Sequence, residues 1–147
     1  MTKEMDFKDI RNEKGKVLVS VYGTLKQGWG NHRLLNKSPK FTGSIEVATL
    51  DGVGFPIIKL GDAYKLNVEV YEVDEDELYS LDGLEGFRAG SSPTFYDRKL
   101  TDVVLADGCT IVTYVYEYVS DVSNNIDSEC KFDEDTGIYN WVGSSRW

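Results

Sequence analysis

The stretch Tyr64-Lys65-Leu66-Asn67-Val68-Glu69-Val70-Tyr71-Glu72-Val73 runs straight into Asp74-Glu75-Asp76-Glu77-Leu78-Tyr79-Ser80-Leu81-Asp82-Gly83-Leu84-Glu85-Gly86. In the first half Leu66, Val68 and Val70 alternate with Asn67, Glu69 and Tyr71, the period of two that marks a half-buried strand. In the second half the period lengthens. Asp74 is placed to cap a helix, with Glu77 three residues on in the capping-box position. The carboxylates between them suit the positive end of a helix dipole. Leu78, Leu81 and Leu84 form the apolar stripe, and Gly83 and Gly86 mark the end, so the helix is short.

Working outward, Lys16-Val17-Leu18-Val19-Ser20-Val21-Tyr22 is a β-branched run that predicts a strand. It stops at the glycine-rich segment Gly23-Thr24-Leu25-Lys26-Gln27-Gly28-Trp29-Gly30, after which Asn31 caps a second short helix through Leu35. Ser44 to Leu50 and Phe55 to Leu60 read as strands around the Asp51-Gly52 turn signal. Tyr96 to Leu105 and Cys109 to Val119, joined by Ala106-Asp107-Gly108, read as a hairpin. Strands outnumber helices and pair through hairpins. The expected fold is α+β, a small mixed or antiparallel barrel-like sheet with a few short helices. Residues 1–16 are expected to be a polar, flexible leader, 17–119 the domain, and 120–147 a tail packed on it through Trp141 and Trp147.

The 147 residues are enough for one domain with a proper core, and 41% apolar content excludes the disordered and low-complexity classes. A net charge of −9 makes a poor partner for nucleic acid or an anionic membrane, since both are polyanions. No apolar run approaches the ~18 residues of a membrane span. The first residues carry no hydrophobic signal region, so the expected location is the cytosol. Two cysteines, Cys109 and Cys130, make no disulfide framework and are expected as free thiols, with Cys109 a buried small hydrophobe. The single histidine, His32, is more at home in a structural hydrogen bond than in a triad, and no His/Cys cluster offers a zinc site. Chemistry is thereby pushed toward carboxylates, tyrosines and backbone groups.

Two places offer it. At Tyr22-Gly23-Thr24-Leu25-Lys26 a strand ends in a glycine turn, which can present successive backbone N–H groups to a carboxylate or a developing oxyanion. Taken alone, the same residues read as a plain strand–turn junction. At Leu81-Asp82-Gly83-Leu84-Glu85-Gly86, Glu85 falls at the negative end of the helix dipole beside leucines. Both effects raise a carboxylate pKa toward the range a general acid/base needs. Taken alone, Glu85 also reads as a solvated surface glutamate. The run from Glu69 to Glu85 holds eight acids and no bases. It lacks the glycine of a calcium loop and reads as helix capping plus solvation. Tyr71, Tyr96, Tyr114, Tyr116 and Tyr118 are first of all strand and core residues.

Together these stretches resemble the γ-glutamylcyclotransferase superfamily, most like its γ-glutamylamine cyclotransferase branch. The resemblance is carried by Val19-Ser20-Val21-Tyr22-Gly23-Thr24-Leu25-Lys26 with Gly28 and Asn31-His32-Arg33-Leu34. It continues in Val68-Glu69-Val70-Tyr71-Glu72-Val73-Asp74, and then in Leu81-Asp82-Gly83-Leu84-Glu85-Gly86 followed by Tyr96-Asp97-Arg98. It implies Glu85 as the catalytic acid/base and Tyr22, Gly23, Thr24 and Leu25 as the substrate-binding loop. It also implies no cofactor, no metal, and a small γ-glutamyl compound as substrate, with no nucleic acid or membrane as partner and the oligomeric state left open. The implied reaction is an amine-releasing lyase or acyl-transfer chemistry: the substrate's own α-amine closes on its γ-carbonyl and 5-oxoproline leaves. Val68 stands where relatives carry glycine and is expected to narrow the pocket. Two rivals stand beside this expectation, hydrolysis of the same γ-glutamyl group by water and a catalytically silent small-molecule-binding module. A third reading takes the acidic face itself as an interaction surface.

Overall fold

The computed structural model describes residues 15–22, 39–52, 56–85, 96–119 and 130–141. They form β1 (Val17–Val21), β2 (Phe41–Gly52), β3 (Pro56–Val73), helix α1 (Glu75–Glu85), β4 (Tyr96–Leu105), β5 (Thr110–Tyr118), β6 (Cys130–Asp133) and β7 (Ile138–Trp141). The expected helix after Asn31 lies outside the described residues. No helix among those described is long and apolar enough to cross a membrane.

The strands share one sheet in the order β1-β5-β4-β2-β3-β7-β6, and β1 also pairs with β3. Strands β1, β5, β4, β2 and β3 therefore close into a barrel-like ring, which leaves none of the five with a bare edge. Four of its seams are antiparallel, and the β1–β5 seam is parallel. This is the mixed, barrel-like sheet the sequence predicts. The β6–β7 hairpin adds to the outside of β3 through Leu66↔Tyr139. The side chains of Cys130 and Trp141, and all of Trp147, lie outside the described residues.

Alternation sorts the side chains into two apolar clusters. Val47, Leu66, Val68, Val70, Val103 and Val115 fill the ring. Val17, Val19, Val21, Tyr71, Val73, Tyr96, Tyr114 and Tyr116 face outward and are covered by Leu78 and Leu81 of α1. The helix thus gives β1 and the end of β3 a second buried face, and Tyr71 is fully buried where alternation alone assigned it to the polar side. Inside the ring the two hydroxyls of Ser20 and Thr113 meet at 2.6 Å, which satisfies polar groups that burial would otherwise penalise.

Two expectations change. Of the expected strands Phe55–Leu60 and Tyr64–Val73, Phe55 lies outside the described residues, and residues 56–60 and 64–73 are not separate strands. They belong to one long β3, whose register against β2 slips where Val47 faces both Leu60 and Tyr64. Gly61 lies at that slip, and a Cβ there would fall 2.5 Å from the Cβ of Ala48, so only glycine lets the chains come this close. Cys109 is exposed rather than buried. It follows the tight β4–β5 turn, in which Gly108 takes φ +87°.

The β2–β4 seam rests on just two partners, Gly43↔Leu105 and Ser44↔Val104. A Cβ on Gly43 would stand 2.6 Å from the Val104 carbonyl oxygen and 2.7 Å from Val103 Cγ1. Backbone cannot swing aside as a side chain can. Gly43→Ala is therefore expected to lower stability by about 1–3 kcal/mol, as overpacking does elsewhere. A fall in the urea midpoint at unchanged m-value checks it.

Candidate active site

Helix α1 starts as its sequence predicts. Asp74 Oδ1 accepts the Glu77 backbone N–H at 2.8 Å, and Glu77 Oε1 accepts the Asp74 N–H at 3.2 Å. This reciprocal pair satisfies two donors that a helix start leaves open. The helix then runs through Gly83 and ends at Glu85. Its buried positions are Leu78, Leu81 and Asp82. Those are spaced three and four apart, and Glu85 is the next position of the same stripe.

Asp82 occupies a core position as a carboxylate, and the sheet supplies what it needs. Arg98 Nη1 donates to Asp82 Oδ2 at 2.6 Å, with both side chains about nine-tenths buried. The Tyr116 hydroxyl donates to Asp82 Oδ1 at 2.8 Å. Arg98 and Tyr116 are direct partners across the β4–β5 seam, so one face of the sheet presents both donors to the helix. The Arg98 guanidinium also lies 4.4 Å from the centre of the Tyr114 ring, a cation–π contact that helps hold it in place. The acidic run is thus not capping and solvation alone. Asp82 is an interior ion pair, Glu72 meets Lys40 at 2.8 Å, and Glu69 accepts the Tyr71 hydroxyl at 2.7 Å.

The same end of the ring holds the first motif. Strand β1 runs parallel to β5 with Val19 beside Tyr114, which brings the end of β1 level with Tyr116. Tyr22 follows directly, buried in the ring's interior cluster. Its hydroxyl donates to the Tyr116 carbonyl oxygen at 2.8 Å. Meanwhile α1 begins beyond Val73, the partner of Val17 at the far end of β1, and its last turn reaches Tyr116. The end of α1 and Tyr22 are thereby brought to one end of the sheet. Of the predicted site residues, Tyr22 is described in full and Glu85 as the last residue of α1. The Glu85 side chain and Gly23, Thr24 and Leu25 lie outside the described residues, as does His32.

Sequence reasoning missed the roles of Asp82, Arg98 and Tyr116. A signal was present: Asp82 stands four residues after Leu78 on the apolar stripe, and Arg98 shares strand parity with Tyr96. A carboxylate and a guanidinium both forced to the inside call for one another. Val68 is fully buried in the ring's interior cluster, on the sheet face opposite to the one α1 covers, so it fills core.

Two other features stand apart from these motifs. Asp107 Oδ1 accepts the Cys109 backbone N–H at 2.9 Å, which lowers the Asp107 pKa. The Cys109 thiol is pushed up by its hydrogen bond to Asp107 and by that neighbour's negative charge, which makes it a weak nucleophile at neutral pH. An open hollow of about 340 Å³ lies between Glu46, Asp62 and Lys65 of the ring and Phe132, Thr136 and Tyr139 of the added hairpin. None of its lining residues belongs to either motif end.

Comparison with known proteins agrees with this architecture. The pattern of the family described as "Gamma-glutamyl cyclotransferase, AIG2-like" matches residues 19–135. A Drosophila melanogaster protein named "Putative gamma-glutamylcyclotransferase CG2811" is 34% identical over 110 residues, 67% of each chain. The "Gamma-L-glutamyl-butirosin B gamma-glutamyl cyclotransferase" of Niallia circulans is 34% identical over 114 residues, 70% of each chain. A crystal structure of an AIG2-like protein from Mus musculus shares the fold, with a TM-score of 0.61 at 24% identity over 73% of this chain and 80% of that one. The ring, its covering helix and the match across residues 19–135 lead to one assignment: the chain belongs to the gamma-glutamyl cyclotransferase, AIG2-like family.

Proposed function

We propose that the protein converts a γ-glutamyl amine or γ-glutamyl amino acid into 5-oxoproline and a free amine by closing the substrate on itself. The observation that carries this reading is the linked run Tyr22–Tyr116–Asp82, which ties the start of the glycine loop to the last turn of α1. Each end then has a task. The 22–25 loop holds the substrate by backbone N–H groups and stabilises negative charge on the carbonyl oxygen during attack. Glu85, as a carboxylate, takes a proton from the α-ammonium and frees the lone pair that attacks the γ-carbonyl carbon. A new C–N bond forms and closes a five-membered ring. As a carboxylic acid, Glu85 then returns the proton to the departing nitrogen while the old amide C–N bond breaks, and the second proton, which the ring nitrogen must lose to become the lactam N–H, passes by the same carboxylate to the released amine. One residue serves both steps when its pKa lies near the working pH. Holding the chain in its ring-closing conformer supplies the orientation term, on the order of several kcal/mol. The balance is closed within substrate and Glu85, and the reading is of a cytosolic enzyme acting on a small molecule, without nucleic acid or membrane.

Incubation with γ-glutamyl-ε-lysine and a panel of γ-glutamyl amino acids, followed by mass spectrometry, tests the reading. The expected product is 5-oxoproline with an equimolar amine. Free glutamate in its place would assign a hydrolase. Absence of turnover across the panel would overturn both and leave the binding module.

A further inference from the structure

We infer that Tyr116 is a positioning residue, the common point from which both halves of the site are aligned. The inference takes its catalytic meaning from the cyclotransferase reading above, but its geometry stands on its own. Tyr116 uses two separate atoms. Its hydroxyl, at the tip of the side chain, donates to Asp82 in the last turn of α1 at 2.8 Å. Its carbonyl oxygen, on the strand, accepts the Tyr22 hydroxyl at 2.8 Å. The residue itself is clamped: it is 3% exposed, lies opposite Arg98 across the β4–β5 seam, and belongs to the cluster that α1 covers.

The two halves need such a reference because they are remote along the chain. Tyr22 and Tyr116 are separated by 94 positions and Asp82 and Tyr116 by 34. A helix end held by apolar packing alone can rock about its axis, since Leu78 and Leu81 give burial without direction. A hydrogen bond to a buried carboxylate is directional and strong. Asp82 lies three residues before Glu85, so an error in the last turn is carried to the next position of the stripe. The loop start has the same property. Tyr22 precedes Gly23, and the Tyr22 hydroxyl, anchored to β5, fixes where the glycine segment begins. Both anchors are made to one residue of a central strand, so they share one frame.

Tyr116→Phe and Tyr22→Phe each delete one of these bonds and keep the aromatic packing. Each is expected to lower kcat by about tenfold or more while KM changes by less than about threefold, because misalignment weakens the transition state more than binding. Gly43→Ala is the control: it loosens the β2–β4 seam away from both anchors and is expected to keep its kcat below its melting temperature. Amide hydrogen exchange gives a readout free of activity. Tyr116→Phe is expected to speed exchange at residues 82–85, and Tyr22→Phe at residues 22–25, while Leu66–Val70 keeps the wild-type rate. Unchanged kcat, a rise in KM alone, or unchanged exchange at these segments would overturn the inference. A wild-type protein that turns over no γ-glutamyl compound would end the cyclotransferase reading, and the exchange experiment would still decide the role of Tyr116.

Discussion

Glu85→Gln is expected to abolish 5-oxoproline formation while leaving the protein folded. The reason is the proton count. An α-ammonium has no lone pair, and an amide anion is a poor leaving group, so protons must be removed from the attacking nitrogen, two in all on the way to the lactam N–H, and delivered to the departing one. Glutamine has nearly the shape of glutamate and performs neither transfer. General acid/base catalysis contributes about 10²–10⁴-fold, so kcat should fall by that order. The swap is nearly isosteric at the last residue of a helix, so the melting temperature should stay within about 2–4 °C, the shift that roughly 1 kcal/mol gives a chain of about 150 residues. Product assay and thermal melt on the same preparation check both halves. An active Glu85→Gln protein would remove Glu85 from the mechanism.

The largest expected loss of stability belongs to Asp82→Ala. Arg98 is held in a site where its side chain is 8% exposed, and Asp82 is the carboxylate at 2.6 Å. Removing Asp82 breaks this buried ion pair, and breaking such a pair from one side costs about 3–5 kcal/mol. The bond from the Tyr116 hydroxyl to Asp82 Oδ1 goes in the same step. Replacing both charges, as in Asp82→Leu with Arg98→Met, should recover much of the loss, because matched apolar residues are often as stable as a buried pair. Activity should not return with stability, since the direction that the pair gives to the last turn is gone. Chemical denaturation of the three proteins, read beside turnover, separates the two effects.

What was legible in the sequence was local. The capping box at Asp74 and Glu77 needs only residues three apart, and both of its bonds form. The β4–β5 hairpin needs only its turn, and pairing runs from Tyr96↔Tyr118 to Val104↔Thr110. The continuity of β3 was hidden because Gly61-Asp62 looks like a break, whereas the glycine is there to let Ala48 approach. Tyr71 was readable as a core residue from its type, but what covers it was hidden, because alternation sees one sheet face and the second face is made by a helix that folds back later in the chain. The Asp82–Arg98 pair was hidden for a similar reason. Each residue alone reads as a solvated charge, and only the packing of α1 on β4 and β5 brings them together. Of the catalytic proposal, the residue types were readable at Tyr22 and Glu85, while the device that joins them through Tyr116 was not.

The seam between β1 and β5 has a consequence for how the chain acquires its shape. Ser20 and Thr113 meet inside the ring from 93 positions apart, so the circle cannot close on a ribosome until the fifth strand has emerged. Before then β2 and β3 can zip together as a long neighbouring pair, but β1 has one flank open and the Tyr116 carbonyl that accepts the Tyr22 hydroxyl is not yet in place. Such distant pairing slows folding, and an open strand flank in a half-made product invites aggregation. Assembly is thus expected to be late and all-or-none, with the end of the ring that holds Tyr22 among the last parts to take form.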